Sequence, residues 1–296
     1  MTEFLKELSK KKILLFDGGF GTMLINNGLK IGDCPEELIY KNPALLESIT
    51  KAYFDAGANI LQTNTFGASS LKLTDYELQN KIEEINSLAV KLTKSVCNNK
   101  AFVSGIIGPS GKLLQPSGLI SYDEMFGNYF KQAEVLINSG VDLITIETMT
   151  DIDEALIALK CVKKICRKIP VIVSISFDKT HKGFYTIMGN DIKSVVNRLI
   201  DNDADIIGSN CGFGTELMIE VAEEIRNITN FPLCIQPNAG MPELINGKLN
   251  YPETPEFMAE KIKKLIDLNI NIIGGCCGTT PDYIKKFRYV IDNYIK

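Results

Sequence analysis

Two apolar patterns alternate along the chain: short runs rich in β-branched residues, and longer stretches in which apolar positions recur every three or four residues. Such alternation predicts βα units around a parallel sheet. Eight runs read as strands. They are "ILLFDGG" from Ile13, "ANILQTNTF" from Ala58, "AFVSGIIGP" from Ala101, "VDLITIET" from Val141, "PVIVSISF" from Pro170, "ADIIGSNC" from Ala204, "PLCIQPNAG" from Pro232 and "INIIGGCCG" from Ile270. Helical periods fill the intervals. "NPALLESITKAYFDAG" places Leu45, Leu46, Ile49 and Tyr53 on one face and stops at Gly57. "TPEFMAEKIKKLIDLN" offers Thr254 as cap, Pro255 at the first helical position, and Glu260 four residues before Lys264.

Eight strand–helix units within 296 residues fit a (β/α)8 TIM barrel, an α/β fold, as a single domain over 1–296. An open doubly wound sheet lacks support. "DGGFGTM" does not have G-x-G-x-x-G spacing, and no G-x-x-x-x-G-K-[ST] occurs. A weak repeat strengthens the barrel reading: strands 2, 4, 6 and 8 open with an apolar residue, Asn or Asp, then two aliphatics, as "ANIL", "VDLI", "ADII" and "INII". Counting from Asn59, Asp142, Asp205 and Asn271, the fifth residue on is Asn64, Glu147, Asn210 and Cys276, and the sixth is Thr65, Thr148, Cys211 and Cys277. Polar and thiol groups thus collect at the C-terminal strand ends, where barrel enzymes place their chemistry.

Composition narrows the partners. A net charge of −4 and the absence of a long Lys/Arg block argue against nucleic acid and against an acidic membrane surface. The clump Lys10 to Lys12 reads as a solvated start. No apolar run approaches the ~20 residues that span a bilayer, and "MTEFLKELSKKK" is amphipathic without a signal-peptide core, so a cytoplasmic location is expected.

Five of the eight cysteines, Cys34, Cys97, Cys161, Cys166 and Cys234, fall in helical, loop or strand contexts that suit small buried hydrophobes. Cys211, Cys276 and Cys277 stand apart. On a regular strand Cys276 would face away from Cys277, and Gly274, Gly275 and Gly278 let the backbone leave that geometry. Three readings are open: unrelated buried thiols, a disulfide to Cys211, or three thiolates holding zinc with one position open. His181, the single histidine, lies in the charged turn "DKTHKGFY" and is expected to be exposed. A Ser-His-Asp or Cys-His mechanism is therefore not expected.

Together "GGCCGTTP", "DGGFGTM" and "AGANILQTNTFGAS" resemble the homocysteine S-methyltransferase family of zinc-dependent barrels, from about Leu14 to about Tyr289. The methionine-synthase-like branch, with its homocysteine-binding module, is the nearest in pattern. The resemblance implies that Cys211, Cys276 and Cys277 hold one Zn2+ per chain and that homocysteine thiolate takes the fourth position. By the same resemblance Asn238 in "QPNAG" supplies an oxygen ligand before substrate arrives, while Asp17, Gly18 and Glu147 hold the amino-acid end of the substrate. Asn64 has turn and substrate roles equally open. No general base beyond the zinc site is needed, because a metal-held thiol is already a thiolate.

The methyl donor is the open question. The chain is expected to end soon after its eighth helix, without room for folate or corrinoid modules, and "DKTHKG" does not match the D-x-H-x-x-G pattern of a corrinoid module. The expectation is methylcobalamin on a corrinoid protein, or on other methionine synthase modules, acting in trans. Two alternatives stand beside it: a free-standing enzyme using S-methylmethionine or betaine, and a non-catalytic zinc or thiol-binding barrel. The absence of tryptophan removes one aromatic means of holding a cationic donor.

Overall fold

The computed structural model describes residues 1–10, 12–30, 32–245 and 248–294. Eight parallel strands form one sheet: β1 (Leu14–Leu15), β2 (Ile60–Gln62), β3 (Phe102–Ile107), β4 (Leu143–Met149), β5 (Val171–Ile175), β6 (Ile206–Asn210), β7 (Leu233–Gln236) and β8 (Ile272–Ile273). Each strand pairs with its chain neighbour, and β1 pairs with β8. A parallel bridge between Phe16 and Ile60 joins β1 to β2 and closes the ring. The eight expected strands and the α/β barrel are therefore present, with shorter strands than the apolar runs because the ends turn early into loops.

Burial separates two apolar layers. Phe16, Ile60, Leu143, Ile172, Ile206 and Ile272 fill the barrel interior, and the alternate residues Leu15, Leu61, Val103, Ile144, Val173 and Ile207 pack outward against the helices. This is the period-2 alternation of a strand buried on both faces. The amphipathic start of the chain proves to be a plug. Helix Glu3–Ser9 inserts Phe4 and Leu8 into the N-terminal end of the barrel, with the Phe4 ring edge-on to Phe102 at 5.3 Å.

The repeated Asn or Asp at the start of each even strand has a structural function. Asn59 Oδ1 accepts from the Leu15 amide (2.9 Å), Asp142 Oδ2 from Val103 (2.7 Å), Asp205 Oδ2 from Val171 (2.8 Å) and Asn271 Oδ1 from Leu233 (3.0 Å). In each case the same residue's own amide donates to the carbonyl of that partner, at 2.7 to 3.2 Å. Every even strand thus grips the start of the preceding odd strand through two bonds to one residue. Register is pinned four times around the ring.

Helix starts behave as the sequence suggests. Asn42 and Thr254 cap their helices, with Pro43 and Pro255 in the first turn. Leu46, Ile49 and Tyr53 are buried, Leu45 is half-buried, and Gly57 takes the left-handed φ of +97° that stops the helix. Glu260 pairs with Lys263 rather than with Lys264, since i,i+3 neighbours also meet on a helix. Two antiparallel hairpins decorate the C-terminal mouth: Asp178–Thr180 with Gly183–Tyr185 after β5, and Glu243–Ile245 with Lys248–Asn250 after β7. Among the described residues no helix is long and apolar enough to cross a membrane.

Candidate functional site

Strand ends β6 and β8 bring three sulfurs together across 66 positions of chain. The Sγ atoms of Cys211, Cys276 and Cys277 all lie within 4.8 Å of one another, and Cys211 and Cys277 are 3.9 Å apart. All three are half-buried, whereas Cys34, Cys97, Cys161 and Cys234 are buried. Cys166 is also half-buried and sits at the C-cap of helix Ile152–Ile165 rather than within it.

The backbone reaches this arrangement by a different route from the one the glycines suggest. Gly278 does take a left-handed φ of +84°, but Gly274 and Gly275 do not. Those two are required for space: a Cβ on Gly274 would lie 2.7 Å from Phe16 Cβ, and one on Gly275 would lie 2.2 Å from Thr279 Oγ1. The unusual turn is made instead by Cys211, a non-glycine residue with φ +61°. Thr148, its counterpart at the end of β4, has φ +58°. Such conformations are costly and persist only when surrounding contacts hold them. Here Asn210 does so, its amide nitrogen donating to Thr148 Oγ1 (2.8 Å) and its Oδ1 accepting from the Thr148 amide (2.9 Å).

The Cys276–Cys277 loop is fastened on both flanks. Gly275 donates to the Asp17 carbonyl, Cys276 to the Pro237 carbonyl, and Ala239 to the Cys277 carbonyl. Thr279 Oγ1 donates to the Cys276 carbonyl (2.7 Å), and the Gly278 amide donates to Thr22 Oγ1 (2.8 Å). Asn238 is buried, and its Oδ1 accepts from the Cys277 amide at 3.1 Å.

Beside the sulfurs lies a cavity of about 270 Å³ whose wall includes Gly18, Gln62, Asn64, Glu147 and Tyr251. Glu147 points into it with no hydrogen-bond or ion-pair partner among the described residues. Burial, reinforced by the charges of Asp17 and Cys211, pushes its carboxyl up to about 8. Asp17 is fully enclosed, and burial raises it to about 7 against the opposing bonds from Gln62. Both Asp17 oxygens are engaged: Oδ2 accepts from the Gln62 amide (2.9 Å) and Oδ1 from Gln62 Nε2 (2.7 Å). Asp17 is not part of the cavity wall; Gln62 is. Asn64 lines the wall while its Nδ2 donates to the Pro35 carbonyl at 2.8 Å. His181 is exposed in the turn of the first hairpin.

Among the three sulfurs, hydrogen bonds from Cys276 and then Cys277 hold the Cys211 thiol far below the ordinary range, while the same contact with Cys211 raises the other two. The donor set fits zinc: a tetrahedral ion with Zn–S of about 2.3 Å separates its sulfurs by roughly 3.8 Å, close to the 3.9 Å between Cys211 and Cys277.

Sequence reasoning did not single out Gln62 and Tyr251 as site residues, and it met Asn210 only as one of the polar groups at the strand ends. Gln62 and Asn210 end their strands on the inward face, so strand alternation could have flagged them. Tyr251 follows the second hairpin. Its pKa is raised by burial and then by the neighbouring Cys277 charge, and a Cβ on Gly278 would collide with its ring at 2.3 Å. Nothing local in the sequence signals that approach.

The class defined here is a closed (β/α)8 barrel whose C-terminal mouth carries three convergent thiols able to hold a metal ion, beside a carboxylate with no partner among the described residues. The family model for homocysteine S-methyltransferase matches residues 14–291, and the chain belongs to that family. It is 30% identical over 302 residues to the methionine synthase of Mycobacterium leprae, covering 96% of this chain and 25% of that protein. For the methionine synthase of Mycobacterium tuberculosis the identity is 29%, covering 99% of this chain and 26% of that protein. The chain therefore spans about a quarter of the length of these curated relatives. Among solved structures, the metallated homocysteine methyltransferase MmuM of Escherichia coli superposes with a TM-score of 0.80 at 21% identity, covering 96% of this chain and 98% of that one, a likeness of fold.

Proposed function

We propose that residues 1–296 act as one barrel domain that transfers a methyl group to the thiolate of homocysteine, forming methionine. The observation that carries this reading is the juxtaposition of three convergent thiols with an unpartnered carboxylate in one cavity. Cys211, Cys276 and Cys277 would hold one zinc ion, with Asn238 beside them as a further oxygen donor. When bound, zinc supplies a positive centre that favours deprotonation of the substrate thiol.

The chain's own groups do the rest. Glu147 accepts the substrate ammonium, and the enclosed charge of Asp17 adds negative potential behind it. Gly18 and Asn64 form the wall against the amino-acid end. Because the cavity is walled by strand ends and loop backbone, the substrate sulfur is held at one place with little freedom, which lowers the entropic part of the barrier. The sulfur forms its bond to the methyl carbon as the donor's bond to that carbon breaks, the electron pair leaving with the donor and the thiol proton leaving to solvent.

The donor favoured by the similarity to part of the methionine synthases is a methylcorrinoid on a separate protein or module. Zinc content and methyl transfer to homocysteine from methylcobalamin and from S-methylmethionine, assayed side by side, test this. About one zinc per chain and turnover from methylcobalamin are expected. Turnover from S-methylmethionine alone makes the chain a self-sufficient transferase. A metal whose coordination ignores homocysteine, with turnover from neither donor, overturns the catalytic reading.

A further inference from the structure

Asp17 is the strand-end acid that the family pattern directs to the substrate's amino group, yet in this chain it is shielded. Both of its oxygens are taken by Gln62, one by the backbone amide at 2.9 Å and one by Nε2 at 2.7 Å. The same Nε2 also donates to the Gly18 carbonyl at 2.7 Å. Two acceptors on one side fix the orientation of the amide group: nitrogen toward Asp17 and Gly18, oxygen away from them. No donor among the described residues reaches that oxygen. Gln62 is half-buried and belongs to the wall of the cavity that Glu147 also faces.

We propose that Gln62 presents its amide oxygen to the ammonium group of the amino-acid thiol, and that Asp17 is a positioning residue one bond removed from the substrate. This rests on the reading of the site as a homocysteine site and names a residue through which it recognises the amine. Physically, Asp17 and the Gly18 carbonyl polarise the Gln62 amide by accepting from its nitrogen, which makes its oxygen a better acceptor. The ammonium then finds two acceptors of different kind, a carboxylate from β4 and an aligned amide from β2. Its three N–H donors need such a set. A neutral amide also lets the site hold the amine without crowding a third negative charge beside Asp17 and Glu147.

Equilibrium binding of homocysteine and of 4-mercaptobutanoate, the same thiol acid without its amine, to the zinc-loaded protein tests the assignment. The comparison is between the unaltered protein and Gln62→Met, which keeps length and removes both polar atoms. The expected result is a loss of homocysteine affinity on the order of 10- to 100-fold, the scale of a hydrogen bond to a charged group, with 4-mercaptobutanoate affected less than about threefold, within the usual scatter of such contacts. Since both thiols are measured on one preparation, a change in folded fraction cancels in their ratio. Asp17→Asn should likewise lower the homocysteine preference, by disturbing the amide it orients. Equal losses for the two thiols in Gln62→Met would overturn the role of Gln62 and leave the proposed function intact. Failure of the unaltered protein to bind homocysteine would overturn both.

Discussion

Asn59, Asp142, Asp205 and Asn271 open the even strands, and each is bonded through side chain and backbone to the neighbouring strand. Five residues further along the same four strands stand Asn64, Glu147, Asn210 and Cys276, which gather around one cavity or its thiol cluster. The first set is satisfied within the fold. The second contains a carboxylate with no partner among the described residues and a thiol crowded by two others, and directly after two of its members stand Thr148 and Cys211 in left-handed backbone. One repeat therefore serves two ends: at the N-terminal end it fixes register, and at the mouth it delivers Glu147 and Cys276 to the cavity, with Asn64 and Asn210 bonded to neighbouring segments. This is the division of labour expected of a barrel, with stability at the bottom and chemistry at the top.

The contrast predicts that changes at the two ends separate cleanly. The largest effect is expected for Cys211→Ala, which should lower zinc affinity by at least ~100-fold, beyond what loss of a supporting contact costs, and abolish methyl transfer. Chelator competition measures the first, and the melting temperature of the metal-free protein should barely move. At the opposite end, Phe4→Ala removes a side chain only 1% exposed and should cost about 3 kcal/mol in urea unfolding, with zinc binding unchanged. If zinc affinity fell with it, the two ends would be coupled.

A pH dependence sharpens the comparison further. Burial lifts Glu147 to about 8 and Asp17 to about 7 from ordinary values of 4.5 and 3.8. Both groups bind protons more tightly in the folded state, so their contribution is full below pH ~4 and is lost as pH rises through 7 to 8. The metal-free protein should be less stable at pH 9 than at pH 5, and Glu147→Gln should flatten that decline by about 2 kcal/mol once screening by cavity water is allowed for. A slope unchanged in Glu147→Gln would contradict the burial described for that carboxylate. The smallest effect is expected at a strand clamp. Asp142→Ala should cost about 1 kcal/mol of stability, with no change in homocysteine binding by calorimetry.

Much of this was legible in the chain because barrels write themselves locally. Each strand is a short apolar run, each helix carries its own cap, and "ANIL", "VDLI", "ADII" and "INII" repeat the same clamp. The approach of Cys211 and Cys277 was legible too, since they share a register on strands 6 and 8, while Cys276 joined them only through the glycine-flanked loop and the family resemblance. What was hidden depends on contacts between distant segments. That Gln62 stands in front of Asp17 follows from the β1–β2 closure, and that Gly274 and Gly275 serve for space while Cys211 takes the left-handed turn depends on neighbours such as Phe16 and Thr279, far away in the chain. The hairpins went unseen because Asp178–Thr180 and Glu243–Ile245 are exposed throughout and carry no burial alternation.

The fastening of the Cys276–Cys277 loop reaches beyond catalysis. Small zinc domains fold only when the ion arrives, because their ligands have no scaffold of their own. Here the loop is tied to the strand 1 and strand 7 ends by backbone bonds, so under the proposed zinc reading the order of events would be reversed. The barrel would be completed first and charged with its ion afterwards, and an ion lost to a competing chelator would be replaced in a finished molecule, without a return to the unfolded state.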